Sequence, residues 1–338
     1  MKPTVKDVAK KANVSPSTVS RVINDHPSIS DDTKEKVRKI MQEMNYFPNA
    51  AARNLGKQKA NAIAVILPPL DSKERIGNPF YLELINTVNE AAHEYQVTTA
   101  IASAKTMEAL LASVMRMYRQ QQVDGFILSY SENRDPVAEY LIANKIPFTL
   151  IGRPAQQESA VTYIDNDNQL LGKQATEFLI QKGHQKILFA SNVDEEVLFF
   201  ERYFGYQEAL MRAGLTTFPA ATFTKTEDFT NFPNLIKETE ATALVVIDDV
   251  FALRIIQLAN LHGLVVPDDL SLISFNNSIF ATLVHPYLTT VDVDITDLGH
   301  LATEKLIDQI QQKPVHGSQL VVPHELIQRE TVIARKNA

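Results

Sequence analysis

The 338-residue sequence contains no cysteine, so disulfides and thiolate metal sites are excluded. No apolar run approaches the length of a transmembrane helix, and the opening residues lack the apolar core of a signal peptide. We therefore expect neither a membrane span nor secretion. These absences fit a protein of the reducing cytoplasm.

The sequence also lacks the short motifs of common catalytic and nucleotide-binding sites. It has no GxGxxG, GxxxxGKS or GxxxxGKT run, no HExxH and no GxSxG, and its eight histidines are scattered. A glycosidase would need two carboxylates that flank a glycosidic bond. Asp248 and Asp249 are adjacent, and Asp165 and Asp167 lie in a segment expected between two lobes, so neither pair suits that role. We predict no catalytic residue, no metal ligand and no cofactor.

What the sequence does contain is a division of charge along its length. Residues 1–58 carry eight lysines and three arginines against six acidic side chains, a net charge of +5, whereas the other 280 residues carry −12. The chain is also too long for one small core, which predicts two or three domains. A basic head on an acidic body is typical of a module that binds a polyanion, although a charged run also occurs on any solvated face.

The basic head has the pattern of three short helices. Thr4 and Asp7 form a Thr-x-x-Asp pattern that caps a first helix, and Asn13, which tolerates the left-handed conformation, predicts its end. Ser15 followed by Pro16 predicts the start of a second helix. Apolar spacing predicts these buried positions in the second and third helices: Val19, Val22, Ile23, Val37, Ile40, Met41 and Met44.

The outward face of the second helix carries short polar side chains and one arginine. Two short helices joined by a tight turn, with a third packed behind, form a helix-turn-helix, whose second helix enters the major groove of DNA. Any three-helix bundle shares this pattern. Arg21 favours DNA, because its guanidinium can bind guanine through two hydrogen bonds.

The run KDVAKKANVSPSTVSRVIN, followed by YFPNAAARNL, resembles the amino-terminal domain of the lactose-repressor and galactose-repressor family of bacterial transcription regulators. Asn13 stands where that family usually has glycine, and both residues tolerate the turn. The resemblance implies that Pro16, Ser17 and Arg21 face the bases while neighbouring polar side chains hold phosphates. The expected DNA-binding residues are Thr4, Ser15, Pro16, Ser17, Thr18, Ser20, Arg21, Asn24, Asn49, Ala52 and Leu55.

Residues 47–59 match the hinge helix of the same family, with Ala52 and Leu55 three positions apart after Pro48. In this role Leu55 would be a wedge between base pairs in the minor groove. Without the family, Leu55 is simply an apolar residue in an alanine-rich helix of about ten residues, which is too short to be stable alone. That marginal stability suits a hinge that folds only on DNA.

The body alternates β-branched apolar runs with segments of helical periodicity. Runs near residues 62, 98, 125 and 147 form one set, and runs near 186, 243 and 271 form a second. Repeated β-α-β organisation predicts parallel sheets, and two sets predict an α/β core of two doubly wound lobes. The family resemblance implies the same core, like that of periplasmic binding proteins. Ligands of such folds lie beyond the carboxyl ends of the strands.

Aromatic, amide and carboxylate side chains follow several of these strands. Phe80 and Tyr81 come after the first, Tyr130 after the third, and Asp248 and Asn276 after two strands of the second set. This mixture suits a carbohydrate, whose hydroxyls need directional partners and whose C–H faces lie on rings. Each residue also has a plainer explanation, since Asp248 and Asn276 can cap helices and Phe80 can fill a core.

The family resemblance extends to the body. Arg202, in FFERYFGY, aligns with the arginine that holds effectors in the family, and Asp248 and Asn276 align with its polar ligand-contacting positions. Relatives often have asparagine or threonine in place of Asp248, and aspartate in place of Asn276. Through ILSYSENRDPVAEYL and LISFNNS the chain is most similar to maltose-operon repressors of Gram-positive bacteria. That similarity implies maltose or a maltodextrin as effector, with another sugar, a sugar phosphate or a protein corepressor left open.

We therefore predict a cytoplasmic, homodimeric repressor that binds double-stranded operator DNA and responds to a small sugar. An extracytoplasmic sugar receptor would share the core but not the DNA-binding head. The expected parts are a helix-turn-helix domain over 1–46, a hinge helix over 47–59 and an effector-binding and dimerisation core over 60–338.

The last part of the chain is expected to cross between the lobes. Residues 289–293 should enter the first lobe and residues 320–323 the second. The first lobe would then span about 60–160 and 289–319, and the second about 161–288 and 320–338.

Overall fold

The computed structural model describes residues 3–23, 25–46, 60–70, 73–156, 158–193, 196–314 and 319–335. It divides into two compact units, Met1–Ala60 and Asn61–Ala338, which we call the head and the core. The predicted hinge helix over 47–59, with Asn49, Ala52 and Leu55, lies outside the described residues, as does Asn24. Within those ranges, no helix has the length and apolar character needed to cross a membrane.

The head contains three helices, α1 (Val5–Ala12), α2 (Pro16–Ile23) and α3 (Asp31–Glu43). As predicted, α1 ends at Asn13, which has a left-handed φ of +56°, and Ser15 Oγ caps α2 by accepting from the Thr18 amide at 3.1 Å. The apolar stripes meet in one small core, whose buried members are Val8, Ala9, Ala12, Val19, Val22 and Val37. Burial of these stripes leaves the opposite face of α2 at the surface.

The first lobe of the core is built on one parallel sheet. Its strands are β1 (Ala62–Ile66), β2 (Thr98–Ala102), β3 (Gly125–Leu128), β4 (Phe148–Ile151), β5 (Thr162–Asp165) and β11 (Gln319–Val321). They are arranged in the order β11-β5-β4-β3-β1-β2, and every neighbouring pair is parallel. Its helices are α4 (Lys73–Gly77), α5 (Pro79–Glu94), α6 (Met107–Arg119) and α7 (Pro136–Ala143).

The second lobe repeats this plan. Its strands are β6 (Ile187–Ser191), β7 (Ala221–Thr222), β8 (Ala243–Val246), β9 (Ser271–Phe275), β10 (Thr289–Asp292) and β12 (Glu325–Ile327). Their order is β12-β10-β9-β8-β6-β7, and only the β10–β12 pair is antiparallel. Its helices are α8 (Asn168–Gln181), α9 (Val197–Arg212), α10 (Thr226–Thr230), α11 (Phe232–Thr239), α12 (Asp249–Leu261) and α13 (Phe280–Leu283). The two sheets confirm the predicted pair of doubly wound lobes.

The lobe assignment predicted for the last strands is wrong. β10 pairs with β9 in the second lobe, and β11 pairs with β5 in the first. The first lobe therefore takes residues 61–165 and 295–321, and the second takes 168–292 and 325–335. Short apolar strands do not show locally which sheet they join. Long-range contacts decide it, and the Thr290 hydroxyl on β10 donates to the buried carboxylate of Asp249 in the second lobe at 3.0 Å.

The chain passes between the lobes three times, at residues 166–167, 293–294 and 322–324. Helix α14 (Ile295–Ile310) follows the second crossing and packs on the sheet of the first lobe. There the Thr149 hydroxyl of β4 donates to the Ala302 carbonyl oxygen at 3.0 Å. The cleft between the lobes is thus bordered by three short backbone segments.

Two glycines let α8 and α9 pack at close range. A Cβ atom on Gly172 would lie 2.1 Å from the carbonyl oxygen of Arg202, and one on Gly205 would lie 1.9 Å from that of Gln169. Both distances are far below van der Waals contact, so only glycine permits this approach. The contact places Arg202 of α9 beside the first turn of α8.

Gly205→Ala is expected to lower the free energy of unfolding by roughly 1–3 kcal/mol or more, because the added methyl group must push the two helices apart. Gly77→Ala is the control, since nothing lies within 4 Å of its Cβ position, and it should change stability little. Urea unfolding followed by circular dichroism measures both variants. Equal unfolding midpoints for the two variants would contradict the close packing.

Candidate DNA-binding and effector-binding sites

The outward face of α2 is the candidate DNA-binding surface of the head. Val19 and Val22 point into the head core and are buried. On the other side, the exposed residues are Ser15, Pro16, Ser17, Ser20 and Arg21, and Thr18 is half-buried. The polar side chains and the arginine therefore share the face that a recognition helix turns toward the major groove. Their contacts with DNA remain predictions.

Three hydroxyl groups form a hydrogen-bonded cluster at the amino end of α2. Ser15 Oγ lies 2.7 Å from Ser17 Oγ and 2.8 Å from Thr18 Oγ1. A helix amino end carries a partial positive charge, so this cluster suits a phosphate group. Thr4 has a different role, because its amide and its hydroxyl both donate to Asp7 Oδ2, at 2.8 Å and 2.7 Å. Helix capping explains Thr4 without DNA.

The core contains a cavity of about 190 Å³ between the two lobes. It is lined by residues that follow β1, β3, β4 and β5 of the first lobe and β6, β8 and β9 of the second. This is the edge at which doubly wound folds bind ligands. All six predicted effector-binding residues line it: Phe80, Tyr81, Tyr130, Arg202, Asp248 and Asn276. The structure thus brings together side chains that are far apart in sequence.

Arg202 lies on α9, is 3% exposed and is held firmly by the protein. Its Nε donates to Asn168 Oδ1 at 3.0 Å, and its Nη1 donates to the Ile247 carbonyl oxygen at 2.7 Å. The guanidinium carbon lies 4.3 Å from the centroid of the Phe275 ring. Burial lowers the pKa of Arg202 to about 10, against the opposite effect of nearby carboxylates. The group is therefore cationic at neutral pH, with further N–H donors for a ligand.

Asp248 and Asn276 each have a local structural role as well as a place in the cavity wall. Asp248 caps α12, where its Oδ1 accepts from the Phe251 amide at 2.7 Å, and burial raises the pKa of its carboxyl. Asn276 follows β9 with a φ of +96°, and its backbone amide donates to the Val291 carbonyl oxygen at 2.9 Å. These bonds hold both residues in place at the cavity.

Three aromatic side chains belong to the first-lobe wall. Phe80 and Tyr81 lie in the first turn of α5, which Asn78 caps by accepting from the Phe80 backbone amide through Oδ1 at 3.1 Å. Their ring centroids lie 5.6 Å apart, edge to face. Tyr130 is buried, with its hydroxyl 3.7 Å from Met107 Sδ, and burial raises its pKa. The rings supply the apolar surface that a sugar ring requires.

Two arginines that sequence reasoning did not identify join the lobes across the cavity. In the first lobe, Arg75 Nη2 lies 3.3 Å from Glu196 Oε1, and Arg75 Nη1 lies 3.7 Å from Glu132 Oε1. Arg153 of the first lobe lies 3.2 Å from Glu201. Glu196 and Glu201 stand near the start of α9 in the second lobe, and burial raises the pKa of both carboxyls. Each pair joins residues that are far apart in sequence, so no local pattern in the sequence signals these pairs.

The YIDNDN run also contributes to the cavity, through Asp165, Asn166 and Asn168. Burial raises the pKa of Asp165 to about 7. Sequence reasoning considered Asp165 only as a possible catalytic acid. The signal that could have identified the run is its position directly after a buried strand, at the edge where ligands bind.

Two family models match the chain. The model for bacterial regulatory proteins of the lacI family covers residues 4–49, which include α1, α2 and α3. The model for a periplasmic binding protein-like domain covers residues 176–332 of the core. The first match includes the residues of the candidate DNA-binding surface, and the second includes part of the core that holds the cavity.

Individual relatives match almost the whole chain. The HTH-type transcriptional regulator MalR of Staphylococcus xylosus is 32% identical over 335 residues, which are 97% of each chain. The transcriptional regulator CelR in complex with cellobiose has a TM-score of 0.73 at 27% identity and covers 98% of this chain and 100% of its own. The lac repressor dimer bound to operator and the anti-inducer ONPF has a TM-score of 0.81 over 99% of this chain and 100% of its own.

The lac repressor is 24% identical, so that likeness shows the fold alone. The similarity to MalR is higher and spans both the head and the core. Together with the match of the head, it confirms the resemblance predicted from sequence. The chain belongs to the lacI family of bacterial regulatory proteins, and it is a DNA-binding transcription regulator and not an enzyme.

Proposed function

We propose that this chain is a transcription repressor that binds operator DNA as a homodimer and releases it when a small uncharged sugar enters the core cavity. The sugar is maltose or a short maltodextrin. The observation that carries the proposal is the lining of one cavity by a fixed arginine, by Asp248 and Asn276, and by three aromatic rings. Sugar hydroxyls bind the polar groups, and sugar C–H faces pack on rings.

The charges of the cavity favour an uncharged sugar over a sugar phosphate. The described residues that line it include three arginines, five carboxylates and no lysine. Arg75 and Arg153 already pair with glutamates, and Arg202 is held by the neutral oxygens of Asn168 and Ile247. A phosphate dianion would therefore meet more carboxylates than guanidinium groups. Two of the three guanidinium groups, those of Arg75 and Arg153, already have carboxylate partners.

Maltose is the preferred sugar because of the relatives. The similarity to MalR of Staphylococcus xylosus extends over the core as well as the head. The CelR structure is a complex with the disaccharide cellobiose, which supports a sugar of that size. The cellobiose complex favours a disaccharide or a short oligosaccharide over a monosaccharide.

The proposed release mechanism couples the cavity to the hinge segment. A sugar held by both lobes favours a closed cleft. The first lobe follows the hinge segment directly in sequence, so closure in a dimer would reorient the two first lobes and unfold the predicted hinge helices. Loss of the minor-groove contacts of Leu55 would then weaken operator binding.

A homodimer is proposed because one helix-turn-helix covers only a half-site of a palindromic operator. The second lobe offers an apolar surface in one short segment. Its exposed apolar side chains are Ile279, Leu283, Val284 and Tyr287, which are 62%, 63%, 41% and 41% exposed. Neighbouring exposed apolar side chains of this kind mark sites of protein association.

Arg21→Ala is expected to relax base preference at one position in each half-site and to weaken operator binding by roughly 1–3 kcal/mol, because two hydrogen bonds to guanine are lost. Arg38→Ala is the control, since it removes the same charge from α3, where the side chain lies 2.8 Å from Asp25. Selection from a randomised DNA pool and anisotropy titrations measure both effects. If Arg21→Ala weakened all sequences equally, Arg21 would be a phosphate contact.

Maltose and maltotriose should lower the operator affinity of the parent by a coupling free energy of about 1–3 kcal/mol, whereas sucrose, galactose, ribose and a phosphorylated sugar should not. Arg202→Ala should abolish the response, because the sugar hydroxyls lose a planar pair of donors. Arg212→Ala, at the exposed end of the same helix, should keep it. Calorimetry measures sugar binding, and operator titrations with and without sugar measure the release of DNA.

The other outcomes of this sugar panel are distinct. Release by a different neutral sugar would overturn the maltose assignment and keep the repressor function. Release by the phosphorylated sugar alone would contradict the charge argument. Release by no sugar would indicate a protein corepressor.

Leu283→Glu should weaken self-association, because a carboxylate replaces an apolar side chain that is 63% exposed in the single chain. Met211→Glu is the matched control, since Met211 is 65% exposed on α9 and outside the proposed interface. Analytical ultracentrifugation should show a monomer population for the first variant and a dimer for the second. Two equally dimeric variants would place the interface elsewhere.

A further inference from the structure

The three segments that cross between the lobes meet at one side chain. Asn166 belongs to the first crossing, and its Nδ2 donates to the carbonyl oxygens of Val293 in the second and Val322 in the third, each at 3.0 Å. The Val322 amide also donates to the Asp165 carbonyl oxygen at 2.8 Å. Any change in the angle between the lobes passes through these segments, so Asn166 stands at their common pivot.

A chain of hydrogen bonds leads from this pivot to Arg202. Asp165 Oδ1 accepts from the backbone amide of Asn166 at 2.8 Å and from Asn168 Nδ2 at 3.0 Å. Asn168 Oδ1 in turn accepts from Arg202 Nε at 3.0 Å. The side-chain amide of Asn168 therefore joins the arginine on one side to the carboxylate beside the pivot on the other.

The four residues joined by these hydrogen bonds are all buried. Asp165, Asn166, Asn168 and Arg202 are between 3% and 8% exposed. An unpaired buried polar group is unfavourable, so the loss of one of these hydrogen bonds costs free energy. A shift of one member therefore obliges its neighbours to follow.

We propose that Asp165, Asn166 and Asn168 form a relay that couples the Arg202 guanidinium to the three interlobe crossings. Asn168 is the positioning residue for Arg202, and Asn166 joins the crossings. The relay rests on the proposed function, in which a sugar binds Arg202 and changes the relation of the lobes. A sugar hydroxyl that accepts a hydrogen bond from Arg202 would shift its guanidinium group. That shift would pass from Arg202 Nε through Asn168 and Asp165 to the backbone amide of Asn166 at the pivot.

Single variants of Asn168 and Asn166 separate these roles. Asn168→Leu removes both bonds of the positioning amide at similar volume, and Asn168→Asp restores only the acceptor for Arg202. Asn166→Asp removes both donors to the crossings, with Asn166→Ala as the alternative if the first variant does not fold. Thr176→Val is the matched control, because it deletes a buried hydroxyl of α8 that donates to the Gly172 carbonyl oxygen outside the relay.

Calorimetry with maltose tests the positioning role. The affinity should fall roughly tenfold or more in Asn168→Leu and recover most of that loss in Asn168→Asp, because only the leucine variant leaves Arg202 Nε without its acceptor. Thr176→Val should bind as the parent does. Unchanged maltose affinity in folded Asn168→Leu would overturn the positioning role.

Operator titrations with and without maltose test the coupling. In the parent the ratio of the two operator Kd values should lie between roughly 5 and 150. In Asn166→Asp, titrated at saturating maltose, the ratio should fall toward one. A ratio equal to that of the parent would overturn the pivot role of Asn166.

Hydrogen exchange in the absence of sugar gives a readout that does not depend on the effector. The Val322 amide should exchange faster in Asn168→Leu than in the parent or in Thr176→Val, because Asp165 loses the bond that holds its carboxylate. Equal exchange at Val322 in all three proteins would overturn the relay. A parent that no sugar releases from operator would overturn the proposed function, and the exchange at Val322 would still decide the relay.

Discussion

A buried guanidinium group is the feature around which the core is arranged. A cation is stable away from water only when hydrogen-bond acceptors and opposite charges surround it. Arg202 meets this requirement with Asn168, the backbone of Ile247 and the ring of Phe275, while four nearby carboxylates favour its charged form. These partners come from α8, β9 and the ends of other strands. The group that offers donors to a ligand thus also unites the elements of the cavity wall.

This arrangement depends on how closely two helices approach. Gly172 lies against the backbone of Arg202, and Gly205 lies against that of Gln169, at distances that no Cβ atom allows. With larger residues, α9 would move away from α8 and the bond from Arg202 to Asn168 would lengthen. Two glycines that are not among the cavity-lining residues therefore determine the geometry of the binding site.

A buried carboxylate organises the last strands of the second lobe in a similar way. Asp249 is 1% exposed and accepts from the Ser274 hydroxyl at 2.5 Å, the Ser278 amide at 2.6 Å and the Thr290 hydroxyl at 3.0 Å. Thr290 lies on β10, so pairing of β10 with β9 supplies a donor that the buried carboxylate needs. The same chain must then cross to the first lobe for α14 and β11 and return for β12. The second and third crossings follow from that path.

The sequence by itself determined the features that depend on near neighbours. The caps at Ser15 and Asn13 involve residues within one turn, and five of the six effector candidates were found because the carboxyl ends of parallel strands meet at one edge. Arg202 lies within a helix and was identified through the family resemblance. Only the tertiary structure decided which sheet takes β10 and β11, and which charges pair. Arg75 and Glu196 are 121 positions apart, and Asn166 and Val293 are 127 apart. Such contacts join residues that are far apart in sequence, and their free energy depends on burial and distance, which no local pattern encodes.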